Sequence, residues 1–316
     1  MTEFLREPAL FPARIAGETW GSLRCDVELA GETFRIEGLS ETQLGSLAER
    51  YGPRLHESSE TTKVATVLQM FRAPASDFLE IDTRGWEYWV DLQWSESGFA
   101  LSGMRVMARA DACRESGRAG IWTCVEDPAE LSGVVENVLR PLLAARLLAT
   151  GGLLVHSAAV NGCLFAGRSG AGKSTIARLG LGAGLPVLSD DLNAIVSDGE
   201  RFVIAPLPFT GDLEEHEVSN QQTPLRAVFG LEKGEHEDLH LMTLAETVSL
   251  LVRCAPYVNQ DPLRMPLLID RASEVARSAA RGLLTFRLDG HVWPILDVGL
   301  PAQQHAQPDP TEPPRH

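Results

Sequence analysis

The chain has no C-x-x-C pair, and its five cysteines, Cys25, Cys113, Cys124, Cys163 and Cys254, are odd in number and scattered. Neither a disulfide framework nor a zinc cluster is indicated, and a reducing, cytoplasmic setting fits. Cys163, inside an apolar run, reads as a small buried hydrophobe. Positive charge is scarce: 28 Lys and Arg stand against 43 Asp and Glu, a net charge of −15. Nonspecific nucleic-acid binding and docking on an anionic membrane both need basic patches, so neither is expected. A single loop can still hold phosphates locally in an acidic protein. Long apolar runs are missing too. The most apolar stretch, 139–166, is broken by Arg140, Pro141, Arg146, Gly151-Gly152 and His156, which excludes a membrane span there. The opening residues Met1-Thr2-Glu3-Phe4-Leu5-Arg6-Glu7 lack a basic start followed by an apolar core, so no signal peptide is expected. No internal repeat is found. What remains is an ordinary globular composition, 44% apolar over 316 residues, enough for a sizeable core and two domains.

Within that composition one motif stands out. Gly167-Arg168-Ser169-Gly170-Ala171-Gly172-Lys173-Ser174-Thr175 has the phosphate-loop form G-x-x-x-x-G-K-[ST]. Gly167, Gly170 and Gly172 let the backbone bend and turn its N–H groups toward an anion. Lys173 supplies a mobile charge for the β- and γ-phosphates, and Ser174 a hydroxyl for Mg²⁺. Cys163-Leu164-Phe165-Ala166 reads as a buried strand entering the loop. Ile176, Ala177, Leu179 and Leu181 continue at helical spacing until Gly182 and Gly184, and a helix starting here adds its positive end to the site.

Leu185-Pro186-Val187-Leu188-Ser189 reads as a second buried strand, with Asp190-Asp191 at its end. If it lies beside the loop strand in a parallel sheet, its carboxyl end meets the phosphate site. One carboxylate there can hold Mg²⁺ and the other can accept a proton from an attacking hydroxyl. The pair can also simply cap a turn before Leu192. Upstream, Asn161-Gly162 between two apolar runs signals a hairpin. That hairpin carries His156 to the phosphate end of the loop strand, as either a site residue or a satisfied core histidine.

Together these residues resemble the catalytic domain of the HPr kinase/phosphorylase family. The resemblance rests on Leu154-Val155-His156, on Leu164-Phe165-Ala166 running into the loop through Ser174, and on Leu188-Ser189-Asp190-Asp191, and it covers about 153–195. It implies an α/β (α+β) fold with a P-loop kinase core of the carboxykinase type, and ATP-dependent transfer of a phosphoryl group to a serine hydroxyl. Carried onto this chain, it implies Asp190 as proton-accepting base, Asp191 and Ser174 near Mg²⁺, and His156 lining the site. Pro206-Leu207-Pro208-Phe209-Thr210-Gly211-Asp212 is similar to a Pro-Phe-Ser/Thr-Gly segment of relatives in biosynthetic clusters. The Gly-rich signature that bifunctional members use for dephosphorylation is not seen. Asp212, Glu214 and Glu215 are equal candidates for a further metal carboxylate, or form a solvated acidic loop.

Elsewhere the pattern is structural. Residues 23–39 read as a hairpin, Ser40 as the cap of a helix ending near Gly52, and 79–109 as an antiparallel sheet. Trp86, Tyr88, Trp89 and Trp94 alternate as sheet core rather than a ligand platform. Asp127-Pro128 opens a helix that Pro141 should kink or divide. Thr243 caps another helix, Asp270–Arg281 reads as a helix ended by Gly282, and 283–288 as a last strand. His236-Glu237-Asp238-Leu239-His240 matches the zinc-protease pattern H-E-x-x-H, but its flanks read as a charged turn, not the helix that zinc chemistry needs. The expected division is an N-terminal accessory, substrate-docking domain over 1–126, a catalytic domain over 127–300, and a disordered tail over 301–316.

The function expected is an ATP- and Mg²⁺-dependent kinase acting on a serine or threonine of a small protein or peptide, by family analogy a ribosomal peptide precursor. An oligomer is compatible with this. Two alternatives stand beside it. One is a small-molecule or carboxykinase-like phosphotransferase using Arg253, Arg264 or Arg281. The other is a nucleotide sensor without phosphotransfer.

Overall fold

The computed structural model describes residues 4–80, 90–111, 117–209, 211–213, 218–287 and 292–299, and shows a mixed α/β chain built on two sheets. The first sheet contains β1 (Leu23–Leu29), β2 (Glu32–Leu39), β3 (Leu55–His56), β4 (Thr66–Arg72), β5 (Val90–Trp94), β6 (Phe99–Gly103), β7 (Val106–Asp111) and β8 (Gly117–Thr123). Their order is β3-β1-β2-β4-β8-β7-β6-β5. Ala30 and Gly31 both have positive φ (52° and 83°), which makes the tight turn that the β1–β2 hairpin needs. The β5–β7 meander is antiparallel as expected, and β8 adds to it antiparallel, but β4 pairs parallel with both β2 and β8, so the sheet is mixed. Helix α1 (Glu41–Tyr51) starts in the capping box read from Ser40 and Gln43. Trp86, Tyr88 and Trp89 lie outside the described residues, as does the tail 301–316.

Helix α2 (Pro128–Thr150) leads from the first sheet to the second. It runs unbroken through Pro141, contrary to the expected division. Proline removes one backbone bond. Here Val138, Leu139, Leu142 and Leu143 are completely buried on either side of it, and one apolar cluster runs from the first sheet through α2 to the second. Packing outweighs the missing bond.

The second sheet contains β9 (Leu153–Val160), β10 (Cys163–Ala166), β11 (Val187–Ser189), β12 (Leu192–Ser197), β13 (Phe202–Ala205), β14 (Thr223–Pro224), β15 (Ala227–Lys233), β16 (Asp238–Leu241) and β17 (Ala280–Phe286). The order is β14-β13-β12-β9-β10-β15-β17-β16, with β11 also pairing to β9. Asn161 and Gly162 (φ 49° and 76°) turn β9 into β10 as read from the sequence. Helices α3 (Lys173–Gly182) and α6 (Trp293–Gly299) contribute to the apolar cluster on one face. On the other face α2, α4 (Leu244–Cys254) and α5 (Met265–Ser278) share the larger cluster. Alternate residues of β10 serve the two faces: Cys163 and Phe165 one, Leu164 and Ala166 the other.

Two local expectations change. Strand β11 is not beside β10; β9 lies between them. Both flanking strands are antiparallel to β9, so β10 and β11 still point the same way and end at the same edge. Helix α5 begins at Met265, with Pro266 in its first turn, and ends at Ser278. Arg281 and Gly282 belong to β17, whose parallel ladder with β15 overrides the helical periodicity. The H-E-x-x-H segment is no helix, as expected, though Asp238 to Leu241 form β16, an edge strand on β17, rather than a turn.

Candidate active site at the edge of the second sheet

The loop after β10 bends through left-handed Gly170 (φ 77°) and Gly172 (φ 107°) before α3 begins. A Cβ on Gly172 would stand 2.6 Å from the Phe286 ring, so glycine is required by both conformation and space. Arg168, Ser169 and Gly170 are exposed at the loop tip, while Ala171 is buried beneath it. Ser174 and Thr175 are half-buried in the first turn of α3. Lys173 is 7% exposed. Its Nζ donates to the carbonyl oxygens of Gly167 (3.3 Å) and Arg168 (3.4 Å). Burial pushes its pKa below the usual lysine range, while Cys254, Asp191 and Asp190 pull the other way.

Asp190 and Asp191 follow β11 at the same edge. The register pairs Ala166 with Ser157 and Leu192 with His156, so His156 sits one residue beyond the loop strand. Its Nδ1 is 3.2 Å from Oδ1 of Asp191. Burial lowers the His156 pKa, Lys173 lowers it further, and the two aspartates oppose the shift. Lys173, His156, Asp190 and Asp191 are thus close enough to feel one another's charge, the group that the sequence singled out.

Asp190 is 3% exposed. Its Oδ1 accepts the Gly211 N–H and its Oδ2 the Asp212 N–H, each at 3.1 Å. A carboxylate offers about four lone-pair sites, so two remain for other work. A Cβ on Gly211 would approach the Asp190 oxygens to 3.0 and 3.2 Å and the Asp191 Cβ to 3.2 Å. Ser189, fully buried, donates Oγ–H to the Phe209 carbonyl at 3.2 Å, and its Oγ accepts the Asp191 N–H at 3.0 Å. Asn193 fixes the strand behind by donating Nδ2–H to Ser157 O at 2.7 Å. Gly211 and Asp212 therefore serve the site through their backbone amides. The Asp212 carboxylate lies 3.8 Å from exposed Arg178, and Glu214 and Glu215 are outside the described residues.

Two neighbours had no signal in the sequence. Cys254, ending α4, brings its sulfur against the Gly167 N–H, and burial pushes its pKa up despite Lys173. Tyr257 has φ 66° and ψ −62°, and Val258 N–H bonds the Pro256 carbonyl at 2.8 Å, a γ-turn of the strained hand. That turn aims the phenol at Arg140 and toward Asp191, where burial raises its pKa. Trp94 of the first sheet donates Nε1–H to the Tyr257 carbonyl at 3.1 Å. Chain separation hides both contacts from any local pattern. Of the arginines considered for a carboxylate pocket, Arg264 is paired with Asp261 over the Trp94 ring, and Arg281 donates to Ala276 O at 2.6 Å.

Among the described residues no three His, Cys, Asp or Glu side chains group as a metal cage. Mg²⁺ typically needs no such cage, using one or two carboxylates with waters and substrate phosphates. Asp191, whose side chain is 23% exposed, offers Oδ2 beyond its contact with His156, and Ser174 adds a hydroxyl. Oxygen donors of this kind are the ones Mg²⁺ prefers.

No protein-family model matches the sequence, and no curated protein matches it. Among the described residues no helix is long and apolar enough to cross a membrane.

Proposed function

We propose that this chain is a phosphotransferase that moves the γ-phosphoryl group of ATP onto a serine or threonine hydroxyl of a small protein or peptide. The observation that carries the reading is the meeting of Lys173, His156, Asp190 and Asp191 at one sheet edge, beside a glycine-bent loop and a helix N-terminus. Loop amides and Lys173 stabilise charge on the transferring group. Asp190, its plane fixed by two amides, takes the hydroxyl proton. The new bond joins the acceptor oxygen to phosphorus, the bond from phosphorus to the bridging oxygen breaks, and ADP leaves. Asp191 and Ser174 are the residues that would hold Mg²⁺, which supplies charge neutralisation on the phosphates when bound. His156, neutral near pH 7 through its lowered pKa, steadies Asp191 without adding positive charge beside Lys173.

The oriented Asp190 favours catalysis over nucleotide sensing, because a sensor has no use for a base held by two amides. Of the three arginines weighed for a small carboxylate, Arg264 and Arg281 are engaged elsewhere, which weakens that alternative, while exposed Arg253 stays near Cys254. The acidic surface fits neither nucleic acid nor an anionic membrane as partner. The resemblance to HPr kinases, which favours a ribosomal peptide precursor as acceptor and the cytoplasm as setting, rests on the motifs alone.

The test is incubation with MgATP labelled at the γ-phosphate and a panel of small proteins and peptides, read by mass spectrometry. One phosphoryl group should appear on a serine or threonine, and Lys173→Ala should abolish it. Absence of MgATP binding by the parent chain would end the proposal.

A further inference from the structure

We propose that Arg50, on α1 of the first sheet's layer, is a positioning residue for Asp190, acting through the segment that holds the carboxylate. This rests on the phosphotransferase reading above.

The guanidinium of Arg50 spans two elements. Its Nε donates to Glu136 Oε1 on α2 at 2.6 Å, and its Nη2 donates to the Pro208 carbonyl at 2.5 Å. Glu136 is 3% exposed, and its other oxygen accepts Arg140 Nη2 at 3.1 Å. Arg140 in turn lies 5.0 Å from the centre of the Phe209 ring, which is fully buried. Two arginines and a carboxylate therefore clamp Pro208-Phe209 from the side of the first sheet. On the far side, Ser189 holds the Phe209 carbonyl, and the amides of Gly211 and Asp212 hold Asp190.

Stability does not account for such a cluster. Removing charges from water costs several kcal/mol per ion, and an apolar replacement is often as stable. What the cluster provides is position. Only a planar fork can hold a carboxylate and a carbonyl at once in fixed directions. The residue after Pro208 has its carbonyl held by Ser189, whose Oγ also accepts the Asp191 N–H, so a shift at the Pro208 carbonyl reaches the backbone that carries both aspartates. The next fixed points are the amides that set the plane of the Asp190 carboxylate. A base displaced by about 1 Å loses up to about 10²-fold in rate. The first sheet thereby helps to set the geometry of a carboxylate in the second.

The experiment measures MgATP turnover, with water as acceptor, in the full chain and in Arg50→Gln, Arg50→Lys and Arg146→Gln. Arg146 is the matched control. It also ties α2 to the first sheet, through Glu32 at 3.1 Å. Arg50→Gln should lower kcat about 10-fold or more with KM for MgATP within about twofold, the signature of a lost transition-state interaction. Arg50→Lys should recover part of kcat, and Arg146→Gln should keep it within about twofold. Combining Arg50→Gln with Gly211→Ala should cost less than the two effects added, because both displace one carboxylate. If Arg50→Gln fails to fold, Arg50→Lys carries the measurement alone. A parental kcat in the Arg50 variants, or equal losses in Arg50→Gln and Arg146→Gln, overturns the inference. Failure of the underlying reading looks different: the parent chain then turns over no more ATP than Lys173→Ala, and this inference falls with it.

Discussion

His156 Nδ1 and Asp191 Oδ1 stand 3.2 Å apart, one midway along β9 and the other in the link from β11 to β12. The contact joins two strands of the sheet at the point where the loop strand ends. Burial and Lys173 hold the imidazole pKa below its ordinary value of about 6.5. The unfolded chain therefore takes up this proton more readily than the folded one. Stability from His156 is complete above about pH 6.5 and is lost as the pH falls toward the depressed folded value. His156→Gln should flatten this part of the curve. Urea midpoints for parent and variant at several pH values below 7 are the check; parallel curves would contradict the assignment.

Lys173 is held by two long bonds to loop carbonyls, 3.3 and 3.4 Å, in a buried setting. Such bonds add little to stability, and removing a desolvated charge removes its cost. Lys173→Ala should leave the thermal midpoint within a few degrees of the parent. MgATP affinity should fall at least about 100-fold, because charge-assisted bonds to phosphate are the strong ones. Calorimetric titration with MgATP and a thermal melt read both. A large fall in midpoint with affinity retained would refute this.

Gly172→Ala adds a methyl group at φ 107°, against the Phe286 ring at 2.6 Å. Left-handed strain and overpacking each cost about 1–3 kcal/mol. The variant should lose the sum of the two, roughly 2–6 kcal/mol, in a denaturant titration and should also bind MgATP weakly, since Lys173 is the next residue. Gly170→Ala is the comparison. Its φ is 77°, but nothing lies within 4 Å of the added carbon, so it should lose less.

Asp190→Asn and Asp191→Asn should separate. Two N–H groups converge on the Asp190 carboxylate, so an asparagine there sets its own NH₂ against one of them. That costs about 1–3 kcal/mol of stability, and loss of the base removes about 10²–10⁴-fold of the transfer rate. MgATP binding should be largely kept. Asp191→Asn can keep its oxygen toward His156, so its defect should lie in the Mg²⁺ concentration needed. Rates measured across a Mg²⁺ series distinguish them, and identical Mg²⁺ profiles would refute the division of roles.

The elements nearest the loop were legible because their signals are local. Asn161-Gly162 dictates a tight hairpin, Ser40 and Thr243 announce helix starts, and the glycine spacing of 167–172 dictates where the chain bends. Helix α5 begins and ends earlier than the charged pattern of 270–281 suggests, because pairing with β15, which local spacing does not show, makes 280–286 strand. The continuity of α2 through Pro141 was hidden for a similar reason, since the layers packed around it offset the lost bond.

By itself the sequence determined the chemistry on offer: a phosphate-shaped loop, a lysine, a histidine and two adjacent carboxylates, each set by residue type and short-range spacing. Tertiary structure alone decided who holds them. It put β9 between β10 and β11, turned the Gly211 and Asp212 amides onto Asp190, and brought Cys254, Tyr257 and Arg50 to the site or its supports. The physical reason is distance along the chain. Turn and helix preferences act over a few residues, whereas a hydrogen bond between α1 and a loop more than a hundred residues away exists only once both sheets have packed on α2.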